Sequence, residues 1–118
     1  DLKYSENPDY VYIIGSDRIS KDLHQLSEET NNKYSNLRLD YTYNDLNDPN
    51  RYFERSDHYS FAQENIPIIF YFNGTHGDYH QHTDTVDKIN FQKIKKITDL
   101  IFFTTWEIAN REEKIQLN

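Results

Sequence analysis

The sequence predicts an α/β fold on a parallel or mixed sheet, and three observations carry that prediction. Tyr10-Val11-Tyr12-Ile13-Ile14 and Ile66-Pro67-Ile68-Ile69-Phe70-Tyr71-Phe72 are continuous apolar runs of strand length. Isoleucines 94, 97, 101 and 108 recur at helical spacing near the end of the chain. The order along the chain is strand, helix, strand, short helix, strand, long helix, which puts helices on the faces of a sheet.

Asp1 to Asp9 is polar and reads as a loop. Tyr10 to Ile14 is β-branched and aromatic throughout, as a strand buried on both faces requires, and Gly15-Ser16-Asp17 stops it. Ser20 is placed to cap the next helix, with Asp22 in the first turn to suit the macrodipole. Leu23 and Leu26 give that helix its apolar stripe, and it should end near Asn31-Asn32. Leu37 to Tyr43 alternates with period two, which suits a strand nearer the sheet edge. Asn44 to Asn50 holds Asp45, Asn47, Asp48 and Pro49 and reads as a loop.

A short helix is expected over Asp57 to Glu64, capped by Ser56. Pro67 to Phe72 is the strongest strand, ended by Asn73-Gly74. A loop from Thr75 to Lys88 follows. The last helix starts at the cap Asn90, with Ile89 and Ile94 at the two positions of a hydrophobic staple, and should run to about Glu112. Its predicted apolar stripe is Ile94, Ile97, Ile101 and Ile108, beside Leu100 and Thr104 or Thr105.

The composition narrows the function classes. With 118 residues there is material for one domain or a piece of a larger one. Hydrophobic residues are 36%, yet aromatic residues reach 15%, so core-forming mass is present and disorder is not expected. A net charge of -7 repels phosphate backbones and argues against nucleic acid. No apolar run approaches the roughly 20 residues that span a bilayer. The chain has no cysteine, which excludes disulfides, iron–sulfur clusters and thiol catalysis.

Three of the five histidines, His76, His80 and His82, fall in the loop after the strongest strand, interleaved with Asp78 and Asp84. Histidine and carboxylate are zinc donors, and a strand-end loop can aim one imidazole at a metal. A polar surface loop with scattered histidines has the same composition, and one loop does not close a zinc site. Arg55-Ser56-Asp57-His58 reads equally as a capped helix start or as Asp57 and His58 at the mouth of the same cleft. Tyr79, beside His80, could donate a hydrogen bond to a developing oxyanion. Asn73-Gly74-Thr75 is a formal glycosylation sequon inside the same loop, taken as coincidence. There is no Gly-rich phosphate loop and no nucleophile elbow.

Taken in order, the segments Tyr12 to Asp17, Arg55 to Ala62, Ile66 to His76, Asp78-Tyr79-His80, Thr83 to Ile89 and Trp106 to Arg111 resemble the family-twenty-eight zinc metallopeptidases. These are bacterial aminopeptidases related to leucyl aminopeptidases and glutaminyl cyclases. The resemblance covers nearly the whole chain. It implies a three-layer α/β/α sandwich with a mixed, mostly parallel sheet, of which residues 1–118 would be the carboxyl-terminal part.

It also implies two zinc ions held by two histidines and three carboxylates, with a further glutamate as general base. His80 matches the family's last histidine ligand, and Tyr79 a tyrosine that steadies the tetrahedral intermediate. Asp57 and His58 match a Ser-Asp-His segment lining the substrate cleft, as substrate contacts or supporting residues. His76 and His82 match no ligand. The other ligands and the glutamate would lie upstream.

The implied reaction is metal-assisted hydrolysis of amino-terminal residues from peptides, with the 118-residue piece inactive alone. The implied partners are a peptide substrate, the missing amino-terminal half, and another copy, because a cut sheet exposes an edge and an apolar face. Export to the periplasm or cell surface is the family's habit. Two other readings stay open: a non-catalytic binding module on the peptidase fold, and a glutaminyl cyclase-type acyltransferase.

Overall fold

Every side chain of β1 (Tyr10–Ile14) is buried, as its uninterrupted apolar sequence requires. In the computed structural model, which describes residues 7–118, this strand is the centre of a three-stranded sheet. The expected opening loop, Asp1 to Asp9, lies mostly outside the described residues. β2 (Arg38–Asp40) flanks β1 in parallel, with Tyr10 opposite Arg38 and Tyr12 opposite Asp40. β3 (Phe70–Phe72) flanks it on the other side and runs antiparallel, with Tyr12 opposite Phe72 and Ile14 opposite Phe70. The sheet is mixed, as expected, but it has one ladder of each kind rather than a parallel majority.

Both outer strands are shorter than their sequence patterns. The Asp40 carboxylate accepts from the backbone N–H of Thr42 (2.9 Å) and from its hydroxyl (2.6 Å). That local turn converts Thr42–Asn44 into a 3-10 turn where the alternation continued a strand. Before β3, Pro67 has no N–H to give to a ladder, and only Phe70 to Phe72 pair with β1.

α1 (Lys21–Thr30) begins as expected: the Leu23 N–H donates to the Ser20 hydroxyl at 3.0 Å. It runs on into a single π-helical turn over Asn31–Ser35. The Asn31 side chain then bonds both the N–H (3.0 Å) and the carbonyl (2.7 Å) of Leu37, which locks the chain's turn into β2. α2 (His58–Gln63) starts one residue later than expected. Ser56 is not its cap, and Asp57 at that position makes no side-chain cap bond.

α3 (Phe91–Asn110) is capped by Asn90, whose side chain accepts from the Lys93 N–H at 3.0 Å. It ends at Asn110, short of Glu112, because Arg111 is extended. Its buried line is Lys93, Ile97, Leu100 and Thr104. Ile97 and Leu100 meet Val11, Ile13 and Leu37 in the core. The predicted stripe is thereby displaced: Ile94, Ile101 and Ile108 lie on an exposed flank of the helix with Phe91, Phe102 and Trp106.

The other face of the sheet is covered by aromatic rings. Tyr12 lies 4.7 Å from Tyr43, Tyr43 5.0 Å from Tyr52, and Tyr52 4.5 Å from Phe72, measured between centroids. One helical layer and one aromatic loop layer therefore sandwich the sheet. The second helical layer of a three-layer sandwich is not formed by the described residues.

The carboxyl-terminal segment returns to the start of α1. The Ser20 hydroxyl donates to the Gln116 carbonyl (2.5 Å), the Gln116 N–H donates to Asp22 (2.9 Å), and the Lys21 N–H donates to the Asn118 side chain (2.8 Å). Asp22 also pairs with Arg111. Its carboxyl is held below the usual carboxylate range, first by the Gln116 N–H and then by Arg111.

Candidate active site

The histidine loop leaves β3 beside the amino end of β1, because β3 is antiparallel. The Tyr10 hydroxyl fixes that exit by donating to the Asn73 carbonyl at 3.2 Å. Gly74 at φ 89 turns the chain. The loop is then a succession of tight turns, Tyr79 N–H to His76 O, Gln81 to Asp78, Asp84 to Gln81 and Lys88 to Thr85. Lys88 closes it on Asp78 at 3.1 Å. Asp78 is held below the usual carboxylate range, first by a hydrogen bond from Thr83 and then by Lys88. Its N–H donates to His76 Nδ1 (3.2 Å), so the neutral His76 ring carries its proton on Nε2.

Tyr79 and His80 lie on the outer side of this loop. Their rings stack at 4.0 Å and 17°. His80 is exposed and sits in the left-handed region at φ 57, which turns its side chain back over the tyrosine. Tyr79 is 37% exposed. His82 is exposed and no contact of it bears on the pair.

Asp57 and His58 are not brought to this pair. His58 stacks on Phe70 at 4.2 Å, and Phe70 is the residue opposite Ile14, at the entry of β3. Tyr79 and His80 lie beyond the exit of the same strand, so these residues alone do not form the shared cleft that sequence reasoning expected. His58 Nε2 stands 2.6 Å from the Phe53 carbonyl, which only accepts, so the proton is on Nε2 and Nδ1 is an acceptor. Asp57 is exposed.

Burial lowers the His58 pKa from its ordinary value. Its neutral form is therefore favoured by folding. That contribution to stability is complete above the unfolded value of about 6.5 and is lost as pH falls through the lower folded value. Ring NMR across this range should show the His58 midpoint below the ordinary value of about 6.5. A His58 midpoint at or above 6.5 would contradict the packing described.

Sequence reasoning missed a polar cluster at the other end of β1. The Ser16 hydroxyl lies 2.8 Å from His24 Nδ1, and Glu28 lies 3.9 Å from Nε2 and takes the Tyr41 hydroxyl proton bond. The order of groups resembles a nucleophile relay, but Ser16 is 1% exposed and a substrate carbonyl cannot reach it. The cluster ties α1 to the loop after β1. Its sequence signal was Glu28 four residues after His24, one helical turn on.

The donor chemistry of the described residues does not by itself fit a zinc site. Among them, no three histidine, aspartate or glutamate side chains converge on one point, and zinc wants at least three protein donors. His80 is a single accessible imidazole. The model of peptidase family M28 matches residues 1–105. No curated protein and no solved structure matches the chain.

Proposed function

The chain belongs to peptidase family M28, a family of hydrolases that is generally zinc-dependent, and from that premise we propose that it forms the carboxyl-terminal part of an aminopeptidase domain. The family match over residues 1–105 carries this reading. The stacked pair Tyr79 and His80 supports it locally, because it offers an exposed imidazole beside a phenol on a loop held at both ends.

In this reading His80 supplies one donor, and the rest of the catalytic set comes from outside the described residues. The Tyr79 hydroxyl has no hydrogen bond within the described residues, so its proton is free for a substrate oxygen. A phenol fixed by ring stacking pays little reorganisation to meet charge that develops on a scissile carbonyl. His58 Nδ1 is a fixed acceptor, but its stack on Phe70 gives it first a packing role. Asp57 is the accessible member of that pair and the one free to meet an extended substrate.

The test is turnover of an aminoacyl reporter by a catalytic domain that includes this chain. Tyr79→Phe is expected to lower kcat by about 10²-fold or more with KM little changed. His80→Ala should abolish both turnover and tight zinc binding. The 118-residue chain alone should show no turnover and only weak zinc binding. Wild-type kinetics in both variants, or peptidase turnover with stoichiometric zinc in the isolated chain, would overturn the reading. Cyclisation of an amino-terminal glutamine peptide without release of free amino acids would replace it with an acyltransferase.

A further inference from the structure

Lys93 holds the first position of the buried line of α3, where Ile97, Leu100 and Thr104 follow on the same face. A lysine is the wrong residue there on two counts. Its side chain is buried, with the residue only 8% exposed, and burial penalises an ammonium. It also stands in the first turn of a 20-residue helix, the positive end of the macrodipole, which favours anions.

No anion pairs with it among the described residues. Among the described residues the ammonium has one neighbour, the face of the Tyr10 ring at 3.3 Å from Nζ to centroid. Asp78, on the same cavity wall, is engaged by Lys88, and Asp84 makes no ion pair with Lys93. Burial alone accordingly lowers the Lys93 pKa to about 8.

Lys93 and the Tyr10 ring it stands over both line a cavity of about 410 Å³ between the histidine loop and the start of α3. That is within the range of small-molecule sites. Its walls combine the apolar Ile89, Ile94 and Tyr10 ring with His76 and the capping residue Asn90. A buried cation without an anionic partner, a helix amino terminus and an apolar wall converge on one volume. They complement a compact anion that carries a small apolar body.

We propose that this cavity is a binding site for a small carboxylate, whose charged group pairs with Lys93 at the amino end of α3 and whose apolar stem lies against Ile89 and Ile94. The site is distinct from the Tyr79–His80 pair and does not depend on the peptidase reading. Binding restores the missing counter-charge to an ammonium already desolvated, so the Coulomb attraction acts in a setting of reduced screening. A guanidinium at position 93 preserves that charge, and a thioether removes it.

The experiment is calorimetric titration of the protein with propionate at low salt and pH 7, with inorganic phosphate as the second probe. Saturable propionate binding is expected, weakened at least tenfold in Lys93→Met and kept within about threefold in Lys93→Arg. NMR of the lysine amines should show the Lys93 pKa rise on saturation while Lys95 and Lys96, exposed or half-exposed on the same helix, stay unmoved. Circular dichroism of each variant establishes that it is folded, and should Lys93→Met fail to fold, the selective Lys93 amine shift in the wild type decides alone. Unsaturable binding, equal binding by folded Lys93→Met, an equal response of all three lysines, or saturation by phosphate but not propionate would each overturn the proposal.

Discussion

Tyr12→Ala is expected to cost about 3–5 kcal/mol of stability. Tyr12 is central in the central strand and 2% exposed. Its ring is the hub of the aromatic layer, facing Tyr43 at 4.7 Å, Tyr10 at 5.5 Å and Phe72 at 6.1 Å. Burial and the neighbouring Tyr43 push its pKa upward, so the phenol stays neutral and needs no counter-charge. An alanine leaves a void that β1 cannot collapse into, because both neighbouring strands hold it in register. Against a typical total of about 5–15 kcal/mol, this loss unfolds a large share of the protein. Urea denaturation should show a midpoint far below wild type. A midpoint shift worth under about 1 kcal/mol would mean the aromatic layer is not a load of the fold.

Gly15→Ala is expected to cost about 2–5 kcal/mol, from two additive causes. Gly15 has φ +86, in the left-handed region that costs an L-residue about 1–2 kcal/mol. A Cβ there would also meet Ile68 Cδ1 and the Phe53 ring, each at 2.7 Å, and such overpacking costs about 1–3 kcal/mol. The turn itself is needed, since the Gly15 N–H donates to the Asn44 side chain at 2.7 Å and Asn44 in turn holds Asp17. Gly77→Ala is the matched control. Nothing lies within 4 Å of its added carbon and its φ is not positive, so the change should stay within about 0.5 kcal/mol. Equal denaturation midpoints for the two variants would contradict this account.

The parts of the fold legible in the sequence were those fixed by local chemistry. Ser20 and Asn90 announced their helices, and both cap bonds are present. The unbroken run Tyr10 to Ile14 announced a strand covered on both faces. Direction was not legible: nothing in Phe70-Tyr71-Phe72 says that it runs against β1, and that reversal moved the histidine loop to the opposite end of the sheet. Part of the α3 stripe was misplaced: Ile97, Leu100 and Thr104 face the core as expected, but an apolar count favours isoleucines, and the core took Lys93 while Ile94, Ile101 and Ile108 stay exposed.

Of the candidate site, Tyr79 and His80 were adjacent in sequence and so had to be adjacent in space. Asp57 and His58 were joined to them only by the assumption that both loops flank one strand end. Lys93 escaped notice because a lysine in an amphipathic helix is ordinarily a solvent residue, and only its place one turn before Ile97 marked it otherwise.

The bonds that tie down the cap and first turn of α1 come from residues 89 to 97 positions further on. Translation delivers them well after the helix they hold. While the nascent chain is still emerging, α1 can rest on its Asn31 lock and on its own turns, but Asp22 and the Lys21 N–H lack their eventual partners. Closing contacts of such wide separation is slow relative to local structure. Synthesis order therefore dictates docking order: α1 is made before the segment that fastens it.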